Sequence, residues 1–200
     1  MAANKKKSIL FEDVLKDLLL WFKNSPGEFL IIGGIAVSLL TRPRTTQDID
    51  VLSLLNESHW EHFLKNGLRF GFEARIADAF SFAQKNRVLL LRHRKSGVNI
   101  DISFGYLPFE EESIERRVIH KLGSLQIPLP TPEDLVIMKM VAHRPQDLID
   151  VKTILRTCPE LDRKRIQKWV KEFSRALEVP DILSDLKKLM QTSKSTIKDR

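Results

Sequence analysis

The sequence predicts an α/β (α+β) protein, with a mixed β-sheet flanked by helices and a C-terminal helical region behind it. Three observations predict this. Short apolar or alternating runs at Phe29 to Ile32 and Asp48 to Leu55 suit strands of a largely buried sheet. Helical three-and-four spacing precedes and interrupts those runs. Beyond the prolines at Pro128, Pro130 and Pro132 the pattern becomes wholly helical. The change in pattern divides the chain into residues 1–128 and a helical domain over residues 129–200.

Taken in order, Ile9, Leu10, Val14, Leu15, Leu18, Leu19 and Phe22 line one face of an amphipathic helix over Ser8 to Phe22, which Pro26 and Gly27 end. Phe29 to Ile32 reads as a strand, Gly33 and Gly34 as a turn, and Ile35 to Leu40 as a short helix packed behind that strand. Asp48 to Leu55 is the second strand. Ser58 to Lys65 reads as a surface helix stopped at Gly67. Arg87 to Leu91 and Val98 to Phe104 are strands joined through Lys95, Ser96 and Gly97, which have hairpin-turn chemistry. A further hairpin is expected from Arg117 to Ile127 across Gly123. Thr131, Pro132, Glu133 and Asp134 open a helix with a cap, a first-turn proline and first-turn acids. Pro145 breaks or restarts it, Leu161 to Leu177 and Asp181 to Met190 supply two more helices, and fraying is expected from Ser193.

Composition narrows the function. With 200 residues, 42% of them hydrophobic, the chain can bury a core, so its body is not disordered. A single cysteine, Cys158, excludes an internal disulfide and points to the cytoplasm. No uninterrupted apolar stretch is long enough for a signal peptide or a membrane span, so no membrane association is expected. The net charge of +7 concentrates late: Lys152 to Arg200 holds 13 Lys and Arg against 7 Asp and Glu. Such a tail is either a footprint for nucleic acid or a solvated helix surface. Trp21, Trp60 and Trp169 read as core anchors, and the histidines have no ligand spacing that assigns them to a metal.

The chemistry lies in Gly33, Gly34 and three aspartates. Asp48 and Asp50, one residue apart on a strand, point to the same face. Two carboxylates on an apolar strand repel unless a cation lies between them. Asp101 stands alone among β-branched and aromatic residues of a later strand. Together the three acids make a hard-oxygen site suited to Mg²⁺. Two such ions, roughly 3.5–4 Å apart, can activate an attacking hydroxyl and stabilise the leaving oxygen of a phosphoryl displacement. Gly33 and Gly34 let the backbone approach a triphosphate at a helix N-terminus.

This conjunction resembles the nucleotidyltransferase superfamily with its polymerase-β-like fold, whose signature is a glycine turn, a short helix, Asp-x-Asp on the second strand and a third acid on a later one. Within it the sequence is similar to small prokaryotic AbiEii-type nucleotidyltransferase toxins. The matching residues are Gly33, Gly34, Ala36, Val37, Arg44, Thr45, Asp48 and Asp50, then Pro132, Glu133, Asp134, Leu135, Lys139, Arg144, Asp147 and Asp150. The likeness spans roughly Phe29 to Leu155.

The resemblance implies that residues 1–128 are the catalytic domain. It implies Mg²⁺-dependent transfer of NMP from an NTP, ATP among the candidates, to an acceptor hydroxyl. Asp48, Asp50 and Asp101 would be catalytic metal ligands for two ions. Gly33, Gly34, Arg44, Thr45, Thr46, Lys139 and Asp147 would contact the nucleotide, with Lys139 also catalytic. Lys139 is expected on the polar side of its helix, its ammonium turned to a triphosphate. Arg144, Asp147 and Asp150 are either catalytic or an ion pair at the helix junction. The basic cluster Arg87, Arg92, His93, Arg94 and Lys95 either receives a polyanionic acceptor or keeps a hairpin soluble. The acceptor is expected to be tRNA or another RNA docked on the basic C-terminal helices, with a protein or antibiotic as alternatives. A possible antitoxin partner, or a non-catalytic binding module on the same fold, completes the set of readings.

Overall fold

The structure is a computed structural model that describes residues 2–43, 46–158 and 160–198, with side chains described for 11–43, 46–158 and 160–192. The chain packs as two units, Met1–Ile35 with Thr45–Leu129, and Ala36–Arg44 with Pro130–Arg200.

The first unit is built in chain order from α1 (Ala2–Lys23), β1 (Glu28–Ile32), the start of α2 (Gly33–Leu40), β2 (Asp48–Leu54), α3 (Trp60–Gly67), β3 (Phe72–Ala74), α4 (Ala79–Asn86), β4 (Val88–His93), β5 (Asn99–Phe104), α5 (Pro108–Glu115), β6 (Val118–Leu122) and β7 (Leu125–Leu129). Five strands form one sheet in the order β1-β2-β5-β4-β3, and β6 and β7 form a separate hairpin beside β1. Only the β2–β5 pairing of that sheet is parallel.

The pleat gives the sheet two unlike faces. On one face Ile49, Val51, Leu89, Leu91, Ile100, Ile102, Phe104 and Phe72 are buried. The aromatic cluster of the core contains Trp21 stacked on Phe63 at 4.1 Å between centroids, Phe22 on Phe29 at 4.0 Å and Trp60 on Phe104 at 4.0 Å. Each such pair adds about 0.5–1.5 kcal/mol beyond its area burial. The opposite face carries Asp48, Asp50, Asn99, Asp101, Leu90, Arg92 and Glu73, all half-buried or exposed.

Several expectations are modified. The Ser58 to Lys65 helix is more than a surface element, because Trp60 and Phe63 anchor its inner face in the aromatic core. Sequence periodicity did not locate β3, α4 or α5. Three residues of β3 are too few for alternation to register, and pairing with β4 creates the strand. Asp78 caps α4 by accepting from the Ser81 N–H, while α5 begins with Pro108 and Glu110, whose carboxylate accepts from the Tyr106 and Leu107 N–H groups.

The second unit contains α6 (Pro132–Ala142), α7 (Pro145–Thr157), α8 (Arg163–Ala176) and α9 (Pro180–Lys198). Thr131 caps α6 by accepting from the Asp134 N–H at 3.2 Å. α6 touches α7, α8 and α9, so most of its circumference is enclosed. A buried Asp134–Arg165 ion pair, 2.8 Å, joins α6 to α8. Fraying from Ser193 is not found: α9 runs to Lys198, in keeping with the absence of glycine or proline from that stretch. Lys139 is not on an exposed polar side. It is 5% exposed, because α7 covers the face on which a lone helix would present it to water.

Candidate active site

The parallel register of β2 and β5 sets Asp50 directly opposite Asp101 and Asp48 opposite Asn99. Adjacent strands lie about 4.8 Å apart and alternate residues roughly 6.6 Å, so three carboxylates share one small patch of the open face. Gly33 lies under this patch. Its φ is +64°, and a Cβ there would sit 2.7 Å from Asp50 Cγ and overlap the carboxylate. Only glycine combines that backbone conformation with that approach. Asp50 therefore rests against the first residue of α2, where Gly33 and Gly34 open the helix.

Each acid also has surroundings that bear on its charge. Asn99 Nδ2 donates to Asp48 Oδ1 at 3.1 Å. The Arg75 guanidinium donates through Nη2 to Asp101 Oδ1. Burial pushes the Asp101 carboxyl above the ordinary aspartate range; the charges of Asp50 and Asp48 push the same way, and Arg75 offsets them only in part. Among the described residues, no three His, Cys, Asp or Glu side chains converge as a preformed metal cage. Asp101 is instead bonded to Arg75 and Asp48 to Asn99. The donors nonetheless fit a hard divalent cation: they are carboxylate oxygens on adjacent strands, and the space beside Asp50 is kept by a glycine.

Thr46 Oγ1 donates to the Asp48 carbonyl at 3.2 Å, which ties the approach to β2. Arg44 and Thr45 lie outside the described residues. The basic hairpin cluster separates into distinct places. Arg92 shares the open face and donates to Asn99, whereas His93 is buried against Ser96 and Asp17. Arg94 bonds the Leu68 carbonyl, and Arg87 packs over Tyr106 at 4.5 Å and Trp60 at 5.3 Å at the other end of β4.

In the second unit Lys139, Arg144, Asp147 and Asp150 are brought together. Lys139 Nζ lies 2.7 Å from Asp147 and 3.1 Å from Asp150, both carboxylates being almost fully buried. Arg144 Nε donates to Asp147 at 2.6 Å. Burial is the largest single influence on Asp147 and raises its pKa. Hydrogen bonds and charge from Arg144 and Lys139 together outweigh it, so the carboxyl lies below the ordinary range.

Arg75 is the residue that sequence reasoning missed. It follows a three-residue edge strand, and its only local signal was a lone cation between two helical stretches.

Three strand-borne aspartates thus lie over a glycine turn that opens a helix. The profile of the family described as nucleotidyl transferase AbiEii toxin, type IV TA system, matches residues 13–197, and the chain belongs to that family. No curated protein matches the sequence.

Among solved structures, an antigenic nucleotidyltransferase-like protein from Paracoccidioides brasiliensis is 19% identical with a TM-score of 0.51, over 89% of this chain and 91% of that one. The complex of ANT(2'')-Ia with adenylyl-2''-tobramycin is 13% identical with a TM-score of 0.53, over 86% and 99%. The lincosamide antibiotic adenylyltransferase LnuA, lincomycin-bound, is 18% identical with a TM-score of 0.50, over 72% and 95%. These likenesses concern the fold. No helix of the described residues is long and apolar enough to cross a membrane.

Proposed function

We propose that this enzyme transfers NMP from an NTP to a hydroxyl of tRNA or another RNA, with Mg²⁺ held by Asp48, Asp50 and Asp101, as the active half of a toxin–antitoxin pair. The observation that carries the catalytic part is the register of Asp50 against Asp101 with Asp48 on the same face. Asp48, Asp50 and Asp101 would hold two divalent ions, which would supply Lewis-acid activation of the acceptor hydroxyl and neutralise charge on the pyrophosphate leaving group. Asp101, opposite Asp50 on the adjacent strand, would act as or near the base for the acceptor hydroxyl. Gly33 and Gly34 open α2, where the absence of side chains and the helix N-terminus suit the approach of a triphosphate, and Arg44, Thr45 and Thr46 precede β2. Lys139 has three N–H donors. Asp147 and Asp150 hold the ammonium by two contacts, and its remaining donor would serve a phosphate oxygen. Asp147 thus contributes to nucleotide binding by holding Lys139.

RNA is favoured as the acceptor by α8. Lys164, Lys168, Lys171 and Arg175 are exposed along it at steps of four, three and four residues, which forms one positive stripe.

The test is incubation with each α-³²P-labelled NTP, Mg²⁺ and total tRNA, beside an Asp48→Ala/Asp50→Ala control. Label on RNA with the native protein alone is the expected result. Label on a protein, or on an added aminoglycoside or lincosamide, would replace RNA as the acceptor. No label on any of these, together with no Mg²⁺-dependent NTP binding, would leave a binding module on this fold.

A further inference from the structure

Arg75 is tied into the candidate site by backbone as well as side chain. Its N–H donates to the Leu90 carbonyl at 3.0 Å, one step beyond the Ala74–Leu91 pair that ends β3. Leu90 is the partner of Asp101 on β4, and Asp101 is the partner of Asp50 on β2. Arg75, Leu90, Asp101 and Asp50 therefore form one row across four strands. The arginine stem has an apolar neighbour in Leu90, and its guanidinium ends on the Asp101 carboxylate.

Two further features distinguish this pair from a casual surface contact. The pair is part-buried, with side-chain exposure of 24% for Arg75 and 37% for Asp101. The Arg75 Nε is buried and has no hydrogen-bond partner among the described residues. A buried unmade hydrogen bond is unfavourable, so the side chain is held where it is by the acid patch rather than by satisfaction of all its donors. An arginine cannot relieve that tension by losing its proton.

We infer that Arg75 is an internal counter-cation that holds Asp101 in the metal-free enzyme and competes with the divalent cation for that carboxylate. It is a positioning residue that sets metal affinity. The inference rests on the reading of Asp48, Asp50 and Asp101 as metal ligands. Without Arg75, three carboxylates would face one another with no cation bonded to Asp101, and an added metal would displace nothing to reach it.

The experiment is calorimetric titration of Mn²⁺ alone into the full chain, without nucleotide, for the wild type, Arg75→Gln, Arg75→Lys, Asp101→Asn and the Arg75→Gln/Asp101→Asn double variant. Circular-dichroism melts verify folding. Arg75→Gln is expected to bind Mn²⁺ about two- to fivefold more tightly than wild type, the upper part of the range for losing a competing ion pair. Arg75→Lys, which keeps the charge but loses the planar fork, is expected to lie between them and carries the test if the glutamine variant does not fold. In the Asp101→Asn background Arg75→Gln should change nothing, a result that a merely structural arginine would not give.

Equal or weaker binding by both Arg75 variants beside a wild type that binds overturns the inference and leaves the three-carboxylate reading standing. Binding by the variants with none by the wild type supports it. No binding by any form overturns both readings together, with the fault in the metal site.

Discussion

The two units treat buried and half-buried charge in opposite ways. In the second, Lys139 and Arg144 face Asp147 and Asp150, so the charges are matched and the acids almost wholly enclosed. In the first, Asp48, Asp50 and Asp101 share a face, and the cation bonded to Asp101 is Arg75. A matched cluster needs nothing further to be stable. Three carboxylates that share one face are held at a cost that a bound cation would remove, which supports the proposal that they are metal ligands. The contrast is between a charge-matched cluster that holds its acids by ion pairs and an acid-rich face on which Arg75 is bonded to Asp101.

The largest expected effect lies in the matched cluster. Lys139→Met leaves two buried carboxylates without their shared ammonium and should lower stability by about 3–5 kcal/mol, measured by urea unfolding. Asp50→Asn should do the reverse on stability while reducing transfer by roughly 10²–10³-fold, about 2.7–4 kcal/mol of transition-state stabilisation, in a steady-state assay of the kind proposed above. A loss of similar size in both stability and activity for Asp50→Asn would erase the distinction between the units.

Gly33→Ala forces a side chain into left-handed backbone against Asp50. It should lower stability by about 1–2 kcal/mol through the backbone alone, read from the urea midpoint, and displace the carboxylate besides.

A smaller effect separates the units by pH. Asp147 is held below the ordinary aspartate value of about 3.9, so its contribution is fully present above that value and is lost as pH falls through its lower folded pKa. Asp101 is held above it, so its contribution is fully present below about 3.9 and is lost as pH rises through its folded pKa. Urea melts of Asp147→Asn and Asp101→Asn against wild type across this range should diverge in opposite directions. Parallel curves would show that the two carboxylates sit in equivalent surroundings.

The sequence and the structure agree most closely where the signal is local. The glycine turn, the alternation of Asp48 and Asp50, the hairpin turn at Lys95 to Gly97 and the cap at Thr131 each depend on a few neighbouring residues, and each of these elements is found. That Asp101 joins Asp48 and Asp50 was legible from its strand context and the resemblance, but its register opposite Asp50 was not, since pairing between strands about fifty residues apart has no local signature. Arg75 was hidden for the same reason: β3 exists because β4 pairs with it. Lys139 illustrates the limit on burial. Its own helix shows a lysine among apolar residues, but whether that position meets water depends on the packing of α7 against α6. The starts of α4 and α5 were legible in Asp78 and in Pro108 with Glu110, signals of capping and of proline at the first turn rather than of periodicity.

The most direct test of the central claim is a thermal melt of the wild type and Asp50→Asn as Mg²⁺ is titrated from zero. The account predicts a Tm that rises with Mg²⁺ in the wild type, and a variant that starts at or above the metal-free wild type and barely responds. A wild-type Tm indifferent to Mg²⁺, or an equal rise in both proteins, would contradict the proposal that this acid patch is the metal site.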